Sequence, residues 1–240
     1  MREFQRIGWR LTAIALFAIV SAPAAADVAR KPSKGDHHGH YPGNRTTPDV
    51  EAYIRMLGRK SRDAWQHPDA VVAALRLRPN DTIADIGAGG GYFTFRFARQ
   101  VTRGTVYAVE IEPKMLRHIE REAKRLKLTN IRSVLSTGSD PRLPRPVRWA
   151  FMCNVLHHVD HPRTFLRNLA KSIVPGGRFV VLEYIMGKLP TGPPDRIKIP
   201  KKRIIAMAKA AGFRLERELP TIVRYQHVLI FRKPRRVKGK

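Results

Sequence analysis

The residues best placed to do chemistry lie in Asp85-Ile86-Gly87-Ala88-Gly89-Gly90-Gly91-Tyr92-Phe93, followed by Glu110 at the end of the next apolar run. Glycines between a strand and a helix remove side chains, so that a ligand can approach the backbone. Their spacing narrows the ligand. A dinucleotide fingerprint places glycine at the first, third and sixth positions; counted from Gly87 the sixth is Tyr92, whose bulk works against a pyrophosphate and a dehydrogenase. Asp85 would repel phosphate and suits a ligand with a cationic amino-acid end. Glu110, 23 residues after Gly87, can accept two hydrogen bonds from a ribose diol. His157 and His158 are candidate general bases, with a loop-capping role as the competing reading. Tyr184 is a third candidate near the expected acceptor pocket, and packing would explain it equally well. Trp65 and Gln66 could help close the site, although a tryptophan is more commonly a core residue. His37, His38 and His40 could hold a metal ion weakly but lack a carboxylate framework, so they read as a polar linker and no metal site is expected. The single cysteine, Cys153, excludes an intramolecular disulfide and a Cys-rich zinc site.

Positioning these groups requires an alternation of strands and helices. Val50, Tyr53, Ile54 and Leu57 repeat at helical spacing after Pro48-Asp49, and a short helix should follow Pro68-Asp69. Strands are expected at Thr82 to Ile86, Thr105 to Ile111, Ile131 to Leu135, Trp149 to Val155 and Arg178 to Tyr184. Helices should fill Tyr92 to Val101, the stretch opened by Pro113 with the stripe Met115, Leu116, Ile119, Ala123 and Leu126, and the stretch opened by His161-Pro162. A helix from Pro200 to Gly212 then precedes strands near Phe213 to Glu218 and Tyr225 to Phe231. This order predicts an α/β domain with a mostly parallel sheet and helices on both faces.

Asp85 to Gly91 followed by Val109-Glu110 resembles the first motif and following acid of class I S-adenosylmethionine-dependent methyltransferases. Phe151 to Val159 is similar to their fourth-strand motif, Ile173 to Val181 to the turn into their fifth strand, and Ala211-Gly212-Phe213 to the approach to their closing hairpin. Within that family the chain looks most like small exported bacterial members that carry Arg62-Asp63-Ala64-Trp65-Gln66 upstream of the fold. The resemblance implies a Rossmann-like fold of seven strands with a C-terminal antiparallel hairpin. It also implies S-adenosylmethionine as cofactor: Gly87, Ala88, Gly89 and Gly91 against its amino-acid part, Asp85 supporting that part, and Glu110 on the ribose. By the same resemblance Ile111 would lie against the adenine, Asp140 near the adenine amino group, and Asn154 beside the cofactor at the end of the fourth strand. The family usually begins that strand with an acid, where this chain has Arg148-Trp149.

The ends of the chain and its charge bear on location and partners. Arg2, Arg6 and Arg10, the apolar run Leu11 to Val20 and the small residues up to Ala26 divide as a secretory signal does. Its uncharged stretch is short for a bilayer span, so the mature chain is expected to be periplasmic or secreted without a transmembrane segment; the alternative is an uncleaved N-terminal anchor. Residues 27–47 read as a flexible lead-in, 48–67 as an N-terminal helical extension, 68–233 as the methyltransferase domain and 234–240 as a basic tail. Lys plus Arg number 46 against 19 Asp plus Glu, a net charge of +27, which attracts anionic envelope or nucleic-acid surfaces, most densely through the tail. The expected activity is methyl transfer to an unidentified acceptor, an anionic one being compatible with the charge. The alternative is a non-catalytic exported protein that keeps the fold to bind a ligand or polyanion.

Overall fold

The computed structural model describes residues 49–235. The segment read as an export signal, the lead-in with its three histidines, and the tail from Arg236 onward lie outside the described residues. Seven strands form one sheet in the order β3-β2-β1-β4-β5-β7-β6. They are β1 (Thr82–Ile86), β2 (Thr105–Glu110), β3 (Ile131–Leu135), β4 (Val147–Cys153), β5 (Ile173–Tyr184), β6 (Arg214–Glu218) and β7 (Gln226–Arg232). The first five run parallel, and β7 pairs antiparallel with both β5 and β6. This is the Rossmann-like sheet expected from the alternation and the closing hairpin.

The central strands are short apolar runs because helices cover both faces of the sheet. On one side α6 (Pro162–Lys171) and α7 (Lys201–Ala210) cover the sheet, while α5 (Pro113–Arg125) lies on the other, its Ile119 packed with Ala108 of β2 and with Phe95. Ile86, Met152, Leu166, Leu169, Phe179, Ile204 and Phe231 pack in one core cluster. Val71, Val72, Phe97, Phe151, Val180 and Ile230 pack in another, which α3 (Pro68–Leu75) and α4 (Thr94–Gln100) help to build. The N-terminal extension supplies α1 (Val50–Leu57), capped by Asp49, whose carboxylate accepts from the Ala52 N–H at 2.8 Å. A 3₁₀ turn at Lys60–Arg62 and the single-turn α2 (Asp63–Gln66) follow.

Boundaries moved where local turns compete with the sequence periodicity. The helix expected from Tyr92 starts at Thr94, because Gly91 has φ +85° and the chain is still turning through Tyr92 and Phe93. The fourth strand spans Val147–Cys153 and stops two residues before Val155, since Asn154 adopts φ +58°. The fifth begins at Ile173, five residues earlier than expected, with Pro175-Gly176-Gly177 inside it. The Arg148-Trp149 pair that departs from the family pattern meets Asp81: Trp149 Nε1 donates to Asp81 Oδ2 at 3.1 Å, and Arg148 Nε lies 3.3 Å from Oδ1. That cluster lies at the amino ends of β1 and β4, away from the site.

Candidate active site

Adjacent strands β2, β1, β4 and β5 end in Glu110, Ile86, Cys153 and Tyr184, and the strand order reverses direction between β1 and β4. A crevice outside the carboxyl ends of parallel strands at such a switch point is where this architecture binds ligands. Here it is a cavity of about 760 Å³ lined by the glycine loop, Glu110 and Ile111, the Asn154–Asp160 turn, Tyr184 and residues of the N-terminal extension.

Asp85 is the anomaly in β1. It sits inside a central strand at 3% exposure, where a carboxylate is costly unless its charge is used. Thr94 Oγ1 bonds to its Oδ2 at 2.6 Å. Burial nevertheless pushes its pKa from 3.8 up to about 7, against the lowering by Thr94 and the nearby Arg62. Glu110, 7% exposed, holds the glycine loop directly. Its Oε2 accepts the Gly89 N–H at 2.9 Å, and Oε1 accepts the Ile111 N–H at 2.7 Å and the Glu112 N–H at 3.3 Å. Burial raises its pKa while those three N–H groups oppose the rise. Gly87 is required by space as well as by its φ of +68°: a Cβ there would lie 2.3 Å from Val155 Cγ2.

Ala88, Gly89 and Ile111 line the same cavity, and Ile111 keeps 44% exposure, unusual for an isoleucine beside a well-packed sheet. Asp140 is not brought into the lining. Its Oδ1 accepts the Arg142 N–H at 2.7 Å and its carbonyl accepts the Thr137 N–H, so it folds the loop whose Ser136, Thr137 and Gly138 form the wall. Gly91 also stands outside the lining: a Cβ there would meet the Phe95 ring at 2.5 Å, so it serves the turn into α4.

Asn154, His157, His158 and Tyr184 do share the cavity wall. Asn154 Nδ2 lies 3.4 Å from Tyr184 Oη, and its Oδ1 accepts from Gln226 Nε2 at 2.5 Å. Burial pushes the Tyr184 hydroxyl up to about 12, so it works as a neutral hydrogen-bonding group. His157 is held by a residue that the sequence did not single out. Its Nδ1 lies 2.6 Å from Glu183 Oε2, with both side chains 3% or less exposed, and Glu183 Oε1 accepts the Leu156 N–H at 2.8 Å. A carboxylate oxygen only accepts, so Nδ1 donates and Nε2 keeps a lone pair in the neutral ring. The available signal was one acid within the buried run of β5.

The Arg62–Gln66 segment is also part of the site. Gln66, fully buried, donates to Gln226 Oε1 at 2.7 Å and to Cys153 Sγ at 3.1 Å, tying the extension to β4 and β7. Burial raises the Cys153 thiol to about 11, which keeps it protonated and inert. Trp65 is half-buried rather than a core residue: it lines the cavity with its ring 6.0 Å from those of Tyr184 and Tyr225. Tyr92, the residue that breaks the dinucleotide spacing, gives its hydroxyl to Asp63 and lies under the guanidinium groups of Arg62 and Arg96, 4.0 and 4.4 Å from its ring centre.

A sequence profile described as a methyltransferase domain matches residues 84–179, from the strand before the glycine loop into β5. Over these residues the chain is similar to methyltransferase domains, and its sheet has the fold of SAM-dependent methyltransferases. An uncharacterized methyltransferase of Mycobacterium tuberculosis is 28% identical over 127 residues, covering 52% of this chain and 62% of that protein. A demethylmenaquinone methyltransferase of Tropheryma whipplei is 31% identical over 115 residues, covering 48% of this chain and 46% of that one. The chain thus spans less than two thirds of the length of these relatives. Among solved structures, a SAM-dependent methyltransferase from Aquifex aeolicus superposes with a TM-score of 0.71 at 22% identity, over 76% of this chain and 97% of that one, and shares the fold.

Proposed function

We propose that the protein transfers a methyl group from S-adenosylmethionine to a small acceptor that enters the cavity beside Tyr184. The observation that carries this reading is the pair of buried carboxylates, Asp85 and Glu110, on adjacent strand ends on either side of one glycine loop. The donor set fits the cofactor. Asp85 supplies a negative charge for an ammonium, the remaining lone pair on Glu110 Oε2 can accept from a ribose hydroxyl, and Ile111 offers an apolar face to a base. When bound, the cofactor supplies an already activated methyl on a cationic sulfur. The protein's work is then to align the acceptor and exclude water.

His157 is the group able to take a proton from that acceptor, because Glu183 fixes Nδ1 as donor and leaves Nε2 basic. This supports a hydroxyl acceptor. Trp65, Tyr184 and Phe165 in the cavity wall support one with a planar ring. The net charge of +27 supports an acceptor bearing negative charge, or a working position at an anionic envelope or nucleic-acid surface, and the character of residues 1–26 supports export.

The test is incubation of the full chain with methyl-tritiated S-adenosylmethionine and a panel of phenols, catechols, aliphatic alcohols, amines and thiols. Label should move to a ring hydroxyl, with S-adenosylhomocysteine formed in equal amount. Transfer to amines or thiols alone would remove the base from the reading. Cofactor binding with no transfer to any member or to an envelope extract would favour a protein that uses the fold for binding.

A further inference from the structure

The N-terminal extension places in the cofactor cavity a cation for which the described residues provide no counter-ion. Arg62 lines the cavity. Its Nε donates to Gln66 Oε1, its Nη1 to the Leu57 carbonyl at 2.9 Å, and its Nη2 weakly to Cys153 Sγ at 3.7 Å. Its guanidinium also stacks on Tyr92, 4.0 Å from the ring centre. The neighbouring acid, Asp63, is taken by Tyr92 and Arg96. Arg62 therefore pairs with no carboxylate among the described residues, and two of its five N–H donors are left for a ligand. A half-buried guanidinium fixed by neutral acceptors on three sides is prepared for an anion, and a planar fork suits a carboxylate.

The neighbouring groups decide which anion. Arg62 acts electrostatically on Asp85, lowering its pKa, yet the two form no ion pair, so a positive and a negative group stand apart in one cavity. A phosphate would meet Asp85 unfavourably; an amino acid's carboxylate and ammonium match both groups. We infer that Arg62 binds the carboxylate of the cofactor's amino-acid end while Asp85 faces its ammonium, so that the Arg62–Gln66 segment is a cofactor-binding element contributed from outside the sheet. The inference rests on the cavity being an S-adenosylmethionine site. It gives the polar ties of Gln66 to Gln226 and Cys153 a purpose, since they fix the turn from which Arg62 reaches inward.

The test compares the affinity of the full chain for S-adenosylmethionine with that for decarboxylated S-adenosylmethionine, which keeps the sulfonium, the amine and the adenosine. Wild type should prefer the intact cofactor roughly 10- to 100-fold, the range for hydrogen bonds to a charged group. In Arg62→Met the two affinities should become nearly equal, because only the intact cofactor loses a partner. A wild-type ratio near one overturns the inference, as does a ratio that survives in Arg62→Met or one abolished by Arg59→Met, the other arginine on the wall. The wild-type ratio needs no variant. If Arg62→Met does not fold, Arg62→Lys, which keeps the charge and loses the fork, should show a reduced ratio, and an unchanged one counts against the fork. Wild type that binds neither compound refutes the cofactor reading itself, an outcome distinct from loss of discrimination.

Discussion

Asp85→Asn removes a charge from the central strand while keeping the size of the side chain and its contact with Thr94. The carboxyl's pKa rises from 3.8 to about 7, burial being the largest cause. At about 1.4 kcal/mol per pKa unit, the ionised form costs the folded chain up to about 4 kcal/mol. The sign follows from proton counting. Between pH 3.8 and about 7 the folded chain holds a proton that the unfolded chain has lost, so stability falls as pH rises through this window, and the full cost is present above it. Urea unfolding of wild type and Asp85→Asn at pH 5 and pH 8 isolates this group from others that titrate. Without ligand, the variant should gain on wild type by about 3 kcal/mol between the two pH values, since part of the full cost is already present at pH 5, and be the more stable at pH 8. The same substitution should abolish S-adenosylmethionine binding. Binding to wild type should also release about half a proton at pH 7, seen as a dependence of calorimetric enthalpy on the buffer's ionisation heat. A variant with the same pH slope as wild type, or cofactor binding that survives the substitution, would refute the reasoning.

Three further outcomes follow from other contacts. Gly87→Ala would place a Cβ 2.3 Å from Val155 Cγ2 at φ +68°; it should lose about 1–3 kcal/mol in denaturant unfolding and bind S-adenosylhomocysteine more weakly. Gln66→Leu leaves Gln226 Oε1 without its donor in a buried position and should lower stability by about 1–3 kcal/mol, with a matching fall in Tm. Glu183→Gln no longer fixes the His157 ring with a carboxylate; kcat for the best hydroxyl acceptor should fall about 100-fold while S-adenosylhomocysteine affinity in calorimetry stays within about twofold.

The sheet was legible because its signals are local. Thr82–Ile86 and Ile131–Leu135 are the expected strands to the residue, and the alternation with amphipathic helices at Pro113 and Pro162 dictates a parallel order. The glycine loop was legible for the same reason: Gly87 and Gly89 take positive φ values that few other residues tolerate. What the sequence could not show are partnerships across long separations. Gln66 meets Gln226 over 160 positions, and Glu183 meets His157 because β4 and β5 end side by side. Neither pairing leaves a periodic trace in the chain. Trp65 illustrates the same limit, since its composition favours a core and only the tertiary fold places it on a cavity wall. Asp140 was expected by resemblance near the adenine amino group; it lies outside the cavity lining, and its Oδ1 accepts the Arg142 N–H in the turn that shapes the wall.

Calorimetric titration of the full chain with S-adenosylhomocysteine, beside the Glu110→Ala variant, tests the central claim most directly. Wild type should bind with micromolar or tighter affinity. Binding should be lost in the variant, because Glu110 holds the Gly89 N–H and is the proposed acceptor for a ribose hydroxyl. Wild-type protein that unfolds cooperatively yet binds neither the product nor S-adenosylmethionine would contradict that claim.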